Sequence, residues 1–128
     1  RQGFAALRND CTMNVGVRVR RNPDSPALKR DVARIGEIFE EGLGRFGGPF
    51  LAGTAFTAAD AFFAPVAYRI RTYDLPIEPL GREWVERMLD LPAMREWEQS
   101  ALADSYREMG HEIELGRAGT ITEDFRAR

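Results

Sequence analysis

Apolar side chains recur at steps of three and four through most of this 128-residue chain, the spacing that gathers them on one face of an α-helix. Phe4, Leu7, Arg8 and Cys11 share such a face, and that segment is expected to end near residues 12–14. The longest stripe is Leu28, Val32, Ile35, Phe39, Leu43 and Phe46. It opens on "NPDSPALKR", where either Asp24 or Ser25 can cap and Pro26 suits the first helical position. Gly42, Gly44, Gly47, Gly48 and Pro49 bring it to an end. After a proline-broken loop, "DLPIEPLG", a short helix face carries Trp84, Val85, Met88 and Leu89. A last one starts at Pro92 and turns Ala93, Met94, Trp97, Ala101 and Leu102 inward. Val15, Val17 and Val19 alternate with polar residues and glycine, as in a strand. No pairing partner is visible elsewhere, so the segment is expected to be an extended connector. The sum is about five helices and no sheet, an all-α helical bundle over residues 1–104. A polar, glycine-punctuated tail over residues 105–128 ends in a further turn or lies against the domain.

The central segment, "FTAADAFFAPVAYRIR", is the most informative. Thr57 can accept from the backbone N–H of Asp60, and the Asp60 carboxylate can reach back to the N–H of Thr57. This capping box satisfies donors that a helix start leaves orphaned, and the carboxylate meets the positive end of the helix dipole. The helix it opens is apolar on every side, including Phe62, Phe63, Val66 and Ile70, which places it in the middle of the bundle. Such a start needs its own acceptors because water does not reach it. Pro65 removes one backbone hydrogen bond inside the helix, and a bend there lets it wrap its neighbours.

Composition narrows the function classes. The chain is 44% hydrophobic and 30% charged, with a formal net charge of -2. That charge offers no general attraction to nucleic acid or to an anionic membrane. The basic trio Arg18, Arg20 and Arg21 lacks interleaved aromatic residues and reads as a solvated or salt-bridged loop. The longest uncharged apolar run is far too short to span a bilayer. The single cysteine, Cys11, allows no intrachain disulfide and fits a reducing compartment. The chain opens without Met and already in a helical pattern, as a fragment or processed chain would.

Taken together, "FLAG", "FTAADAFFAPVAYR", "LPAMREWEQSALAD" and the opening "GFAALRNDCTMN" resemble the C-terminal helical domain of bacterial cytosolic glutathione transferases. The resemblance runs from Gly3 to Asp104, and it implies that the first helix is cut at its upstream end. It implies that the chain forms the electrophile-binding, dimer-forming part of a protein that conjugates glutathione to hydrophobic electrophiles. Glutathione would be the co-substrate of that parent protein, which the resemblance implies to be homodimeric and cytoplasmic. The thioredoxin-like domain that holds glutathione and activates its thiol lies outside these residues, so no catalytic residue is expected here. Helical domains of this type also serve as non-catalytic protein–protein interaction modules, which stands as the alternative.

Within that resemblance, Arg69 and Tyr73 on the central helix are candidates to line the electrophile pocket, and Arg8 on the first helix to face the cleft. An ion pair with a neighbouring helix is the other reading for each arginine. Cys11 on an apolar stripe reads as a small hydrophobe. Thr57 and Asp60 read as structural, and Trp84 and Trp97 as core or interface anchors. His111, the only histidine, has no partner set at metal-ligand spacing, so no metal is expected.

Overall fold

The structure, a computed structural model, describes residues 4–128. In chain order it contains α1 (Ala5–Asp10), β1 (Val17–Arg21), α2 (Pro26–Phe39), α3 (Ala58–Tyr73), α4 (Pro79–Leu89), α5 (Pro92–Ala103), α6 (Met109–Ala118) and β2 (Gly119–Asp124). The fold is a helical bundle with one small two-stranded sheet. Gly3, at which the resemblance begins, lies outside the described residues.

Local chemistry sets the helix starts. Ser25, not Asp24, caps α2: its hydroxyl accepts from the Leu28 N–H at 3.0 Å, while Asp24 is taken by Arg21 at 2.6 Å. Pro26, Pro79 and Pro92 each stand in a first turn, where a missing N–H costs nothing. Pro79 therefore begins α4 three residues before the arginine at which the sequence pattern would start it.

Residues Leu28, Val32, Ile35 and Phe39 of α2 face the core as their spacing demands. The helix then passes into a π-helical turn, Glu40–Gly44, which keeps Leu43 buried. A π-turn inserts one residue into the ladder, so the stripe rotates. Phe46, expected on the apolar face, is instead exposed. Gly42 in this turn lets the chain return closely, since a Cβ there would sit 2.7 Å from the Leu51 carbonyl oxygen.

The core is built on α3 and α4. Trp84, Tyr68, Tyr73 and Phe39 are among its fully buried side chains. The Phe39 ring lies 5.0 Å from Trp84 and meets Phe63 edge-on at 6.3 Å. Helix α3 runs unbroken through Pro65 and buries Phe63, Val66, Ala67 and Ile70. It is not enclosed along its whole length. Phe62 is 79% exposed, and Ala58, Ala59 and Ala61 face outward with it, because only one side of the first turns has helices to meet. Trp97 is likewise 40% exposed, its ring standing edge-on against Tyr68 at 4.9 Å; Ala93, also expected inside, is exposed.

The valine alternation is a strand after all. β1 pairs antiparallel with β2, from Val17 opposite Asp124 to Arg21 opposite Gly119, with an irregularity between Arg18 and Val19. Val17 and Val19 are buried while Arg18 and Arg20 are not, which is the period-two pattern of a half-buried strand. The missed partner lies in the tail, where α6 and β2 fold back onto the domain. Among the described residues no helix is long and apolar enough to cross a membrane.

Candidate functional site

The start of α3 is held by one carboxylate. Asp60 is fully buried. Its Oδ2 accepts from the Thr57 N–H at 2.9 Å, closing the capping box, and the Thr57 hydroxyl accepts from the Ala59 N–H at 3.3 Å. Its Oδ1 accepts from the Leu51 N–H and from the Trp84 indole N–H, both at 2.9 Å. Asp60 thus joins the helix start, the loop before it and the centre of α4.

The other end of α3 meets the chain leaving α1. α1 has only six described residues, so the carbonyls that follow it have no helical donors. Side chains of α3 supply them. Arg69 Nε donates to the Cys11 carbonyl at 2.9 Å, and the Tyr73 hydroxyl donates to the Thr12 carbonyl at 2.7 Å. Thr72 Oγ1 donates to Asn14 at 2.6 Å, and Arg71 Nη2 to Val15 at 3.2 Å. Arg71 also pairs with Glu98 at 3.1 Å.

The candidate residues Arg8, Arg69 and Tyr73 are therefore gathered at one end of the bundle, where α1 meets α3. Burial lowers the Arg69 pKa first, and the charge of nearby Arg8 lowers it slightly further. Burial likewise raises the Tyr73 pKa, against the hydrogen bond to Thr12. Arg8 is exposed on the last turn of α1. Tyr73 is fully buried, and its hydroxyl and the Arg69 Nε are committed to backbone. Cys11 stands in the same group, buried, its thiol pushed up to about 12 chiefly by burial. That thiol is no nucleophile near neutral pH.

An apolar cleft opens at the opposite end of α3. It measures about 430 Å³ and is lined by Phe4, Ile38, Gly42, Phe46, Leu51, Ala59, Phe62 and Phe63, with Glu41 at its rim. The rings of Phe4 and Phe62 lie 6.1 Å and 6.0 Å from Phe63. None of Arg8, Arg69 and Tyr73 lines it. The sequence carried one signal for this cleft, a central helix with more phenylalanine than a single buried face can use. A second cleft, about 630 Å³ and polar, lies between β1, the end of α3 and β2, and Tyr73 borders it. The basic trio stands there, with Arg21 engaged by Asp24 and by the Tyr73 and Asp74 carbonyls. Among the described residues no group of histidine, cysteine and carboxylate side chains could hold a metal.

Residues 22–100 match the family model described as "Glutathione S-transferase, C-terminal domain". No curated protein and no solved structure matches the chain.

Proposed function

Because the chain belongs to the glutathione S-transferase C-terminal domain family, we propose that it is the electrophile-side half of a glutathione transferase. Joined to a thioredoxin-like domain, it would conjugate glutathione to hydrophobic electrophiles in a homodimeric, cytoplasmic parent protein. The observation that carries this reading is the open apolar cleft at the start of α3, with four phenylalanines in its lining. Such a cleft takes an uncharged, ring-bearing ligand by burying apolar surface. The chain's part in the reaction is then to hold the electrophile where a thiolate can reach it, which lowers the barrier by proximity rather than by acid–base chemistry. Thiol activation is left to the other domain, since Cys11 stays protonated and Tyr73 already donates to backbone.

Two measurements test the proposal. The chain should bind a fluorescent naphthalene dye saturably, and Phe62→Ala should weaken that binding about tenfold while leaving the melting temperature within about 2 °C, since an exposed side chain adds little stability. Calorimetry should show no glutathione binding by the chain alone at millimolar concentration, and binding once it is joined to a thioredoxin-like domain. Glutathione binding by the chain alone would place the thiol site on the wrong half. The exposed rings of Phe46, Phe56 and Phe62 also favour the second reading, a non-catalytic interaction module. Failure of the joined protein to bind glutathione would select it.

A further inference from the structure

The tail is fastened to the domain in an unusual way. Within it, Arg126 braces α6 against the end of β2. The Arg126 side chain is 11% exposed. Its Nη1 donates to both Glu112 carboxylate oxygens at 3.1 and 2.9 Å. Nε and Nη2 donate to the two Asp124 oxygens at 2.9 and 2.8 Å. Asp124 thus takes a fork of two N–H donors, the strong bidentate arrangement, Glu112 takes Nη1 on both its oxygens, and the arginine is neutralised inside the tail itself. Arg107 adds a hydrogen bond to the Ala127 carbonyl. α6 and β2 are joined without intervening residues, so the whole segment is one braced piece.

Its attachment to the body is mostly backbone. The β1–β2 ladder is continued by Phe125 N–H to Gly16 C=O at 2.8 Å, and Ala127 N–H donates to the Leu102 C=O of α5 at 2.7 Å. Asn22 holds the other end, donating from its N–H to Ala118 C=O and from Nδ2 to Arg117 C=O. The apolar contribution is small. Leu115 is the tail's one fully buried hydrophobic side chain, while Tyr106, Met109, Ile113, Ile121 and Phe125 are exposed. Two glycines fit tail to body closely: a Cβ at Gly119 would lie 2.3 Å from the Arg20 carbonyl oxygen, and one at Gly16 would lie 2.3 Å from Arg126 Cγ. The arginine stem occupies the notch that Gly16 leaves.

From this geometry we infer that residues 105–128 form a detachable strap that swings as a unit about residues 104–108, keyed by Arg126 in the Gly16 notch. Closed, the strap supplies Thr122 and Glu123 as a wall of the polar cleft and covers the edge of β1. Open, it leaves that cleft without its wall and presents the hydrogen-bonding edge of β1, with Arg18 and Arg20, to solvent. Internal bracing makes the opening cooperative, and the scarcity of buried apolar surface makes it cheaper than unfolding the core.

Amide hydrogen exchange of the chain, read by NMR across a series of low urea concentrations, tests this. Protected amides of α6 and β2 should share one opening constant, at least a hundredfold larger than that of Val66 and Ile70 in α3. Gly16→Ala, which wedges the notch, should raise the shared constant at least tenfold and leave Val66 and Ile70 within threefold. Arg126→Gln removes the brace and should split α6 and β2 into separate constants. The strap is overturned if tail and α3 amides exchange with one common constant, or if Gly16→Ala raises both alike. It is equally overturned if Arg126→Gln leaves α6 and β2 exchanging together at the parent rate.

Discussion

Replacing Asp60 by alanine removes the acceptor on which three N–H donors and the Thr57 hydroxyl converge. A helix cap of this kind contributes about 1–2 kcal/mol by itself. The structure adds two donors that no cap accounts for, the Leu51 N–H and the Trp84 indole N–H, each 2.9 Å from Oδ1. Both belong to fully or nearly fully buried residues, so neither recovers its bond from water. Each orphaned donor costs about 1–3 kcal/mol. Taken toward the lower ends of these ranges, since single substitutions rarely exceed about 5 kcal/mol, the whole substitution is expected to cost about 3–5 kcal/mol, a fall in melting temperature on the order of 12–20 °C for a domain of this size. Urea unfolding followed by far-ultraviolet circular dichroism measures it. Asp60→Asn, which keeps one carbonyl but turns donors toward donors, should fall in between. The sharper assay is a cycle with Trp84→Phe. With the indole N–H gone, Asp60→Ala should cost at least 1 kcal/mol less than in the parent, because contacting groups do not add independently. Costs that add within about 0.3 kcal/mol would refute the shared-acceptor argument, as would an Asp60→Ala protein within 1 kcal/mol of the parent.

The Cys11 thiol, raised from 9.0 to about 12 by burial, stabilises the fold while it stays protonated. That contribution is complete below about pH 9 and is lost as pH rises toward the folded value, so stability should drop by about 1 kcal/mol between pH 8 and pH 10; Cys11→Ala should flatten that limb of the urea-midpoint profile. Tyr73→Phe strands the Thr12 carbonyl and should cost about 1 kcal/mol in urea unfolding. Dye binding to the apolar cleft, which Tyr73 does not line, should be unchanged. In Gly81→Ala, the new Cβ would lie 2.4 Å from Ile77 Cγ2 and 2.7 Å from Phe39 Cδ2, and overpacking should lower stability by about 1–3 kcal/mol, read as a lower urea midpoint.

How much of this was legible in the chain divides along a physical line. Local patterns carried the helices. The Thr57 and Asp60 pair, the prolines at the first turns and the stripe from Leu28 to Leu43 act over a few residues, so each is written where it operates. The same patterns, with "FLAG" and the closing tryptophan helix, carried the family. Pairing between residues far apart was not written that way. Val17 to Arg21 reads as a strand, yet its partner begins at Gly119, and nothing in either segment names the other. Phe46 left its stripe because a π-turn rotated the helix. Phe62 stayed outside because periodicity tells how apolar a helix is and not how many neighbours surround each turn. The site divides in the same way. Arg69 and Tyr73 share a face of α3 because they stand four residues apart, whereas Arg8 of α1 comes near Arg69 only through packing. Their partners are the backbone carbonyls of residues 11–15, and carbonyls carry no sequence signature. The sequence by itself therefore determined the five helices before the tail, the buried cap and the family, and left α6 unread. Only the tertiary structure decided which apolar faces remain open, because that depends on packing between segments that no local pattern connects.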